Sequence, residues 1–354
     1  MVPMFSFGRR RHTAAFAFAG LVILVVCGAE SAPSEDDSAD SGLDRAAARL
    51  QPPLVMEGRE QQHWPIEERM RKFSVPGVSA AVIDDGRLAA ARAWGVKVVG
   101  DDDPVTTETM FQAGSLSKPV TALLALGLVG EGALELDRPV NDALRSWKVP
   151  DNDLTRTTPV TLQHVLSHQA GLTPFGYLIP RSEAAVPSMA DLLRGGIHDW
   201  PAITVESPPG ERYAYSNAGY CLLQLVLEDV SSLSLHELAV QRMFGPLHMN
   251  HSTFDEPLAA QTLATVAAGH RRTRGGEGSK PTAVPVEGKA EIAPAAAGGL
   301  WSTPSDLARV AVEVMRAWRG ESSSVVRPEL ARTFLTRQVG DEGLGIHLQG
   351  EGPT

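Results

Sequence analysis

The fold is decided by the stretch from Val78 to Val98, which reads VSAAVIDDGRLAAARAWGVKV. Two apolar runs, Val78–Ile83 and Leu88–Val98, flank the turn sequence Asp84-Asp85-Gly86-Arg87. An Asp-Gly pair between two strand-forming runs is the strongest short-range signal for a β-hairpin, because both residues accept the positive φ of a tight turn. We therefore predict two antiparallel strands at the start of the folded domain.

Helical spacing of apolar residues replaces the strand pattern after Asp101. Thr161 is the expected cap of the second predicted helix and Ser305-Asp306 that of the fifth. The glycine-containing stretch from His270 to Ala297 has no periodicity, and we expect a mobile loop there. A hairpin followed by helices is an α+β order, without the alternation of a parallel sheet. The five predicted helices are Val120–Leu128, Leu162–His168, Gly219–Val230, Leu235–Phe244 and Ser305–Trp318.

Composition restricts the classes of function that the chain can have. The 354 residues are 43% hydrophobic, which is enough for one large domain or two. A net charge of −10 provides no basic surface for nucleic acid, so we expect no nucleic-acid partner. The two cysteines, Cys27 and Cys221, exclude a framework of disulfides, and Cys221 is expected to be a core thiol.

The first 29 residues are typical of a secretory signal peptide. Arg9, Arg10 and Arg11 precede an uncharged apolar run, Thr13–Val26, of about 14 residues, which is short for a membrane span. Small residues precede the expected cleavage site after Ala29, so we predict an exported protein, periplasmic or secreted. A lipid anchor at Cys27 and an uncleaved anchor helix are the alternatives.

Residues 30–58 are predicted to be an acidic flexible linker. The part from Glu30 to Asp44 is rich in acids, serines and alanines and contains no aromatic residue. Such a composition buries too little apolar area to offset the entropy of ordering. A helix from Leu43 to Leu50 is the alternative for the last third of that segment.

The first candidate catalytic motif is Ser115-Leu116-Ser117-Lys118, at the start of the first predicted helix. A spacing of three on a helix places Ser115 and Lys118 on one face, within reach of each other. Serine is a poor nucleophile near pH 7, and a desolvated lysine with a lowered pKa is one group that can take its proton.

The second candidate motif is Tyr215-Ser216-Asn217, and it is the sharper signal because the chain has only four tyrosines. It follows a turn-forming run, Pro208–Tyr213, and precedes a helix, so its side chains can project from a loop into a cleft. A tyrosine hydroxyl can relay a proton to a leaving group, and an asparagine amide can donate to a substrate carbonyl.

With these motifs the sequence resembles the β-lactamase-related serine hydrolases, the group of class C β-lactamases, D-alanyl-D-alanine carboxypeptidases and related esterases. The resemblance runs from about Pro65 to the end of the chain. Five further segments are similar to family signatures: Val75–Val78, Phe111–Ser115, Thr161–Leu172, Gly245–Met249 and Gly298–Thr303.

The resemblance implies a β-lactamase/transpeptidase-like fold over residues 59–354, with an antiparallel sheet flanked by helices and a mainly helical subdomain. It makes Ser115 the acylated nucleophile, Lys118 its activating partner, Tyr215 the general acid/base, and Asn217 a ligand of substrate and lysine. The Ser115 backbone N–H would be one oxyanion donor. The implied substrate is a small ester, amide or lactam, with a D-amino peptide among the candidates, and no metal or cofactor is expected.

One family motif is absent. The family has Lys-Thr-Gly or His-x-Gly on a strand that forms a wall of the site, whereas this chain has Lys289-Ala290-Glu291 and His347-Leu348-Gln349-Gly350. Gly343–Ile346 resembles the segment that leads into that strand, so we expect a C-terminal truncation that removes the last strands and the closing helix. The alternative to an active hydrolase is therefore a non-catalytic remnant with weak ligand binding at most.

A metal site at His164 and His168 is the remaining alternative. The two histidines are four residues apart on a predicted helix, which is a spacing that can chelate zinc. No glutamate follows the first histidine and no third ligand is evident, so we expect no metal here.

Overall fold

The computed structural model describes residues 21–25, 39–51, 63–173, 179–180, 187–197, 200–273, 282–286, 291–292 and 294–349 of the chain. The strands are β1 (Leu21–Val25), β2 (Gly77–Asp84), β3 (Arg87–Gly95), β4 (Phe111–Gln112), β5 (Ile179–Pro180), β6 (His270–Arg272), β7 (Ala283–Pro285), β8 (Glu291–Ile292) and β9 (Trp301–Ser302). The helices are α1 (Ala39–Ala48), α2 (Ile66–Phe73), α3 (Ser117–Gly130), α4 (Val140–Ala143), α5 (Asp153–Thr157), α6 (Leu162–Leu166), α7 (Met189–Arg194), α8 (Asn217–Ser231), α9 (Leu235–Ala239), α10 (Ala260–Leu263), α11 (Pro304–Trp318) and α12 (Pro328–Phe334). Val240–Phe244 and Ala295–Gly299 are π-helical, and Gly114–Leu116 is a 3-10 turn.

The predicted hairpin is confirmed. β2 and β3 pair antiparallel, with Gly77 opposite Gly95, and Asp85 and Gly86 form the turn with φ of +47° and +67°. Positive φ at both central residues is the requirement of a type I′ turn, whose twist matches that of the strands. The second strand ends at Gly95, three residues before the predicted end.

The outer edge of β2 is covered by β1, which pairs with it in parallel from Leu21 opposite Ser79 to Val25 opposite Ile83. β1 lies inside residues 1–29, which are predicted to be a signal peptide. Removal of that segment therefore stays a prediction. None of the helices in the described part of the chain is long and apolar enough to cross a membrane.

Part of the predicted linker is wrong, because residues 39–48 form α1, which packs on β3 and overlaps the alternative helical start. Leu43 and Ala47 are one turn apart and both are buried. Asp44 pairs with Arg92 of β3 at 3.0 Å. The prediction failed because the acidic composition of the segment outweighed two apolar residues spaced one helical turn apart. Their burial is enough to pack one short helix on the sheet.

The sheet and the helices form an α+β fold with two packing regions. α11 lies across β2 and β3, where Ala308 packs with Ala81 and Ile83. The larger core lies beyond the sheet and is built around α3 and α8. Ten of the 14 residues of α3 are buried, and Tyr220 on α8 is fully buried. Burial of nearly every side of α3 holds its first turn in a defined place, and that turn carries the Ser-x-x-Lys motif.

Most predicted helices are confirmed, with changes at three places. Thr161 caps α6 as expected, but the cap of α11 is Thr303 rather than Ser305, because Thr303 accepts the N–H of Asp306. The fourth predicted helix is α9 followed by a π-helical turn. The stretch from His270 to Ala297 contains a short ladder of β6 and β7, so its described part is more regular than predicted.

Candidate active site

Ser115 lies in the 3-10 turn that leads into α3, and its side chain is exposed. Gly114 opens the turn with φ of +54°, a value that glycine adopts freely. The Ser117 hydroxyl donates to the Gly114 carbonyl at 2.7 Å and accepts the N–H of Leu300 at 3.0 Å. The two hydrogen bonds of Ser117 therefore hold the turn in place from the buried side. The Ser115 hydroxyl faces solvent, where a substrate can approach.

Lys118 lies three residues further on, in the first turn of α3, and is only 3% exposed. Its Nζ donates to the Ser115 Oγ at 3.2 Å and to the Ala297 carbonyl at 2.6 Å. Burial lowers the pKa of Lys118, and a hydrogen bond with Tyr215 opposes part of that effect. A lysine with a lowered pKa beside a serine hydroxyl is able to take its proton.

Tyr215 comes from the loop before α8, and its hydroxyl lies 2.8 Å from the Ser115 Oγ. The Lys118 Nζ lies 4.9 Å from the centre of the Tyr215 ring. Tyr215 is 45% exposed, so its hydroxyl is accessible to a bound substrate. The Ser115 hydroxyl oxygen is therefore within hydrogen-bonding distance of two groups that can carry a proton.

Asn217 is the first residue of α8 and is half-buried. The cap of that helix is Ser216, whose hydroxyl accepts the N–H of Gly219 at 3.1 Å. In the described part of the chain the Asn217 amide makes no hydrogen bond to Lys118, and the Ala297 carbonyl binds the lysine instead. The role of Asn217 as a ligand of substrate stays a prediction.

The π-helical segment Ala295–Gly299 forms the floor under Lys118, and its role was not predicted. The Gln224 side chain accepts the N–H of Ala296 at 3.2 Å, and the Ala297 carbonyl binds the lysine. Three alanines and two glycines allow this backbone to approach α3 and α8 closely. The contact is made by a carbonyl, which every residue has, so only the run of small residues could have indicated it.

His164 and His168, the alternative metal pair, are engaged separately. His164 Nδ1 accepts the N–H of Thr161 at 3.3 Å in the cap of α6. His168 is buried, and its Nδ1 accepts the N–H of Ser216 at 3.2 Å. Within the described residues no group of three or more His, Cys, Asp or Glu side chains is arranged to hold a metal ion.

The segment from Gln338 to Gln349 packs behind the site. Leu344 is fully buried, and a Cβ on Gly345 would collide with the Tyr220 hydroxyl and Ala122. His347 Nδ1 lies 2.7 Å from Glu342 Oε1 at the surface. Up to Gln349 this segment forms isolated bridges and no strand.

The comparisons with known proteins agree with this geometry. Residues 66–350 match the sequence model of the Beta-lactamase family, and the chain belongs to that family. Its relatives include penicillin-binding protein 4 of Amycolatopsis lactamdurans, 33% identical over 198 residues, which are 54% of this chain and 49% of that protein. Protein flp of Staphylococcus aureus is 26% identical over 265 residues, which are 75% of this chain and 49% of flp.

A solved structure shows the same fold. The octameric penicillin-binding protein homologue from Pyrococcus abyssi is 29% identical, with a TM-score of 0.60 over 79% of this chain and 62% of that one. The predicted family and the β-lactamase/transpeptidase-like fold are thus confirmed. The chain spans about half the length of the curated relatives it matches.

Proposed function

We propose that this chain is a serine hydrolase that cleaves an ester, amide or β-lactam carbonyl through an acyl-serine at Ser115. The observation that carries the proposal is the position of the Ser115 Oγ, 3.2 Å from the Lys118 Nζ and 2.8 Å from the Tyr215 hydroxyl. Both distances allow proton transfer to or from the nucleophile. Membership of a family that includes penicillin-binding proteins supports an acyl-serine mechanism.

The reaction follows from the positions of these groups. Ser115 Oγ attacks the carbonyl carbon while its proton passes to the neutral Lys118 amine, and the backbone N–H of Ser115 donates to the developing oxyanion. The Tyr215 hydroxyl then protonates the leaving group and regains a proton from Lys118. Water attacks the acyl-serine in the reverse sense, which returns Ser115, Lys118 and Tyr215 to their starting protonation states.

Intact-mass spectrometry of the full chain tests the proposal. After incubation with a fluorophosphonate, and separately with a β-lactam, we expect one adduct per chain that is lost in Ser115→Ala. Lys118→Met is expected to slow labelling by about 10² to 10⁴, the usual contribution of general base catalysis. Ser117→Ala is not a suitable control because the Ser117 hydroxyl holds the turn, whereas Ser305→Ala changes a half-buried residue in the first turn of α11, outside the site.

Absence of any adduct from protein that is folded by circular dichroism would contradict the proposal. The chain would then be the non-catalytic remnant that the missing third motif suggests. An adduct with the β-lactam alone would favour a penicillin-binding role, and an adduct with the fluorophosphonate alone would favour an esterase.

We also propose that the protein is exported, periplasmic or secreted, because residues 1–29 have the charge and apolar pattern of a signal peptide. Export would take the protein to the compartment in which extracellular D-amino peptides and lactams occur. The N-terminus of the exported protein, found by mass spectrometry, tests this: cleavage after Ala29 is expected.

A further inference from the structure

We propose that His168 is a positioning residue that holds Tyr215 against Ser115, an inference that rests on the proposed hydrolase function. His168 lies just after α6 and makes hydrogen bonds to the residues on both sides of Tyr215. Its carbonyl accepts the N–H of Ala214 at 2.8 Å, and its Nδ1 accepts the N–H of Ser216 at 3.2 Å. His168 therefore holds the backbone of residues 214–216, the tyrosine loop, on both sides of Tyr215. We call this pair of hydrogen bonds the clamp.

The ring of His168 also packs against the ring of Tyr215. The two ring centres are 4.6 Å apart, and the rings of Tyr220 and Tyr213 lie 5.3 and 5.8 Å from the imidazole. The hydrogen bonds thus fix the position of the tyrosine loop, and the ring contact limits the rotation of the Tyr215 side chain. Those two quantities determine whether the hydroxyl reaches the Ser115 Oγ.

The backbone conformation of His168 also fits a positioning role. Its φ is +58°, a value that histidine and asparagine tolerate better than most residues. Because Ser216 N–H donates to Nδ1, that nitrogen carries no proton, and the imidazole is neutral with its proton on Nε2. The site is buried, since His168 is only 6% exposed, so a lost bond would not be replaced readily by water.

Two substitutions separate the clamp from simple packing. His168→Asn places its amide oxygen near the Nδ1 position and tolerates a positive φ, whereas His168→Gly tolerates the φ but offers no acceptor. Both variants lose the ring, but only His168→Asn keeps an acceptor for the Ser216 N–H. We expect His168→Asn to keep fluorophosphonate labelling within about tenfold of the wild type and His168→Gly to lose about 10²-fold, because small misplacements cost that much.

Two measurements on the full chain test the inference. The first is the labelling rate at saturating fluorophosphonate, which should fall in His168→Gly while the concentration for half-saturation changes by less than about twofold. The second is hydrogen exchange of the Ser216 amide, which should be slow in the wild type and His168→Asn and fast in His168→Gly. Circular dichroism reports whether each variant folds.

The outcomes distinguish the inference from the proposed function. A wild type that forms no adduct overturns the proposed function, and the exchange of the Ser216 amide still decides the clamp. Equal labelling rates in His168→Asn and His168→Gly, or equal protection of the Ser216 amide in both, would overturn the clamp while leaving the hydrolase proposal standing. If His168→Gly unfolds, the comparison of His168→Asn with His168→Ser, which also lacks an acceptor at the Nδ1 position, replaces it.

Discussion

The lowered pKa of His168 makes the stability of the fold depend on pH. Burial lowers its pKa from 6.5 to about 4, and the charge of Lys118 adds to the effect. Between these two pH values the unfolded chain binds a proton that the folded chain does not. The contribution of His168 to the free energy of unfolding is therefore fully present above about pH 6.5, and it is lost as the pH drops towards 4.

We expect the free energy of unfolding of the wild type to fall by about 3 kcal/mol more than that of His168→Asn between pH 7 and pH 4. Asparagine does not titrate, so the difference between the two proteins isolates the histidine from the many carboxylates that titrate in the same range. Urea unfolding at several pH values, followed by circular dichroism, measures it. Parallel pH profiles for the two proteins would contradict the prediction.

Cys221, a buried thiol near Lys118, also shows the effect of desolvation in the interior of the site. Burial raises the pKa of Cys221 to about 12, although the nearby Lys118 lowers it in part. The thiol is consequently a neutral core residue, as the sequence predicted, and not a second nucleophile. Ser115 and Tyr215 are exposed to solvent, whereas Lys118 is buried. The lysine is therefore desolvated while the two hydroxyl groups remain accessible to a substrate.

Helix caps show what a single element contributes. The first turn of α11 leaves backbone N–H groups without helical partners, and the hydroxyl of Thr303 accepts that of Asp306 at 3.1 Å. The sequence favoured Ser305 as the cap, since Ser-Asp opens many helices. With Pro304 at the first helical position, α11 begins one residue earlier than predicted, and its cap is Thr303, two residues before Ser305.

Substitution of the two hydroxyl residues discriminates the two caps. We expect Thr303→Ala to lower the free energy of unfolding by about 1 kcal/mol, because it removes the acceptor of the Asp306 N–H. Ser305→Ala, which does not touch the cap, should change it by less than about half of that. Thermal or urea unfolding measures the effect, and a larger loss in Ser305→Ala than in Thr303→Ala would restore the sequence-based interpretation.

At the scale of the whole molecule the outer edge of β2 is the most consequential feature. That edge is paired with Leu21–Val25, which lies within the predicted signal peptide. Removing residues 1–29 uncovers a row of backbone N–H and C=O groups on a strand that is otherwise buried. Unpaired edges of that kind associate with other chains.

We expect residues 30–354 to associate in a concentration-dependent way in sedimentation velocity experiments. Val82→Lys is expected to weaken the association, because Val82 is the partly exposed residue in the middle of this edge strand and a charge there opposes strand pairing. Val240→Lys is the matched control, since Val240 is an exposed apolar residue outside the sheet. A monomer at every concentration, or an equal effect of Val240→Lys, would contradict the prediction.

Several parts of the fold and site followed from local sequence alone. The Asp-Gly turn required positive φ at two adjacent residues, and both are present in the hairpin. The spacing of Ser115 and Lys118 placed them together because it reflects one turn of helix, and Tyr215-Ser216-Asn217 was identified by residue type. These inferences depend only on neighbours in the chain, where backbone geometry is dictated by the residues themselves.

Other parts had no local signal. The acidic segment that was predicted to be a linker contains α1, which packs on β3 and has two buried residues, Leu43 and Ala47. The lysine's partner is a backbone carbonyl of Ala297, 179 residues away, and the tyrosine loop is held by His168, 48 residues from Ser216. Backbone carbonyls and amides are common to all residues, so sequence patterns do not mark the ones that matter.

The sequence by itself determined the family, the α+β class, the hairpin, most helices and the identity of the candidate nucleophile, lysine and tyrosine. Only the tertiary structure decided that Tyr215 reaches Ser115 across 100 residues of chain, that Lys118 is buried on a carbonyl, and that the edge of β2 is covered. The physical reason is that local rules act over one or two turns of chain, whereas these distances arise from how the buried faces of α3 and α8 pack.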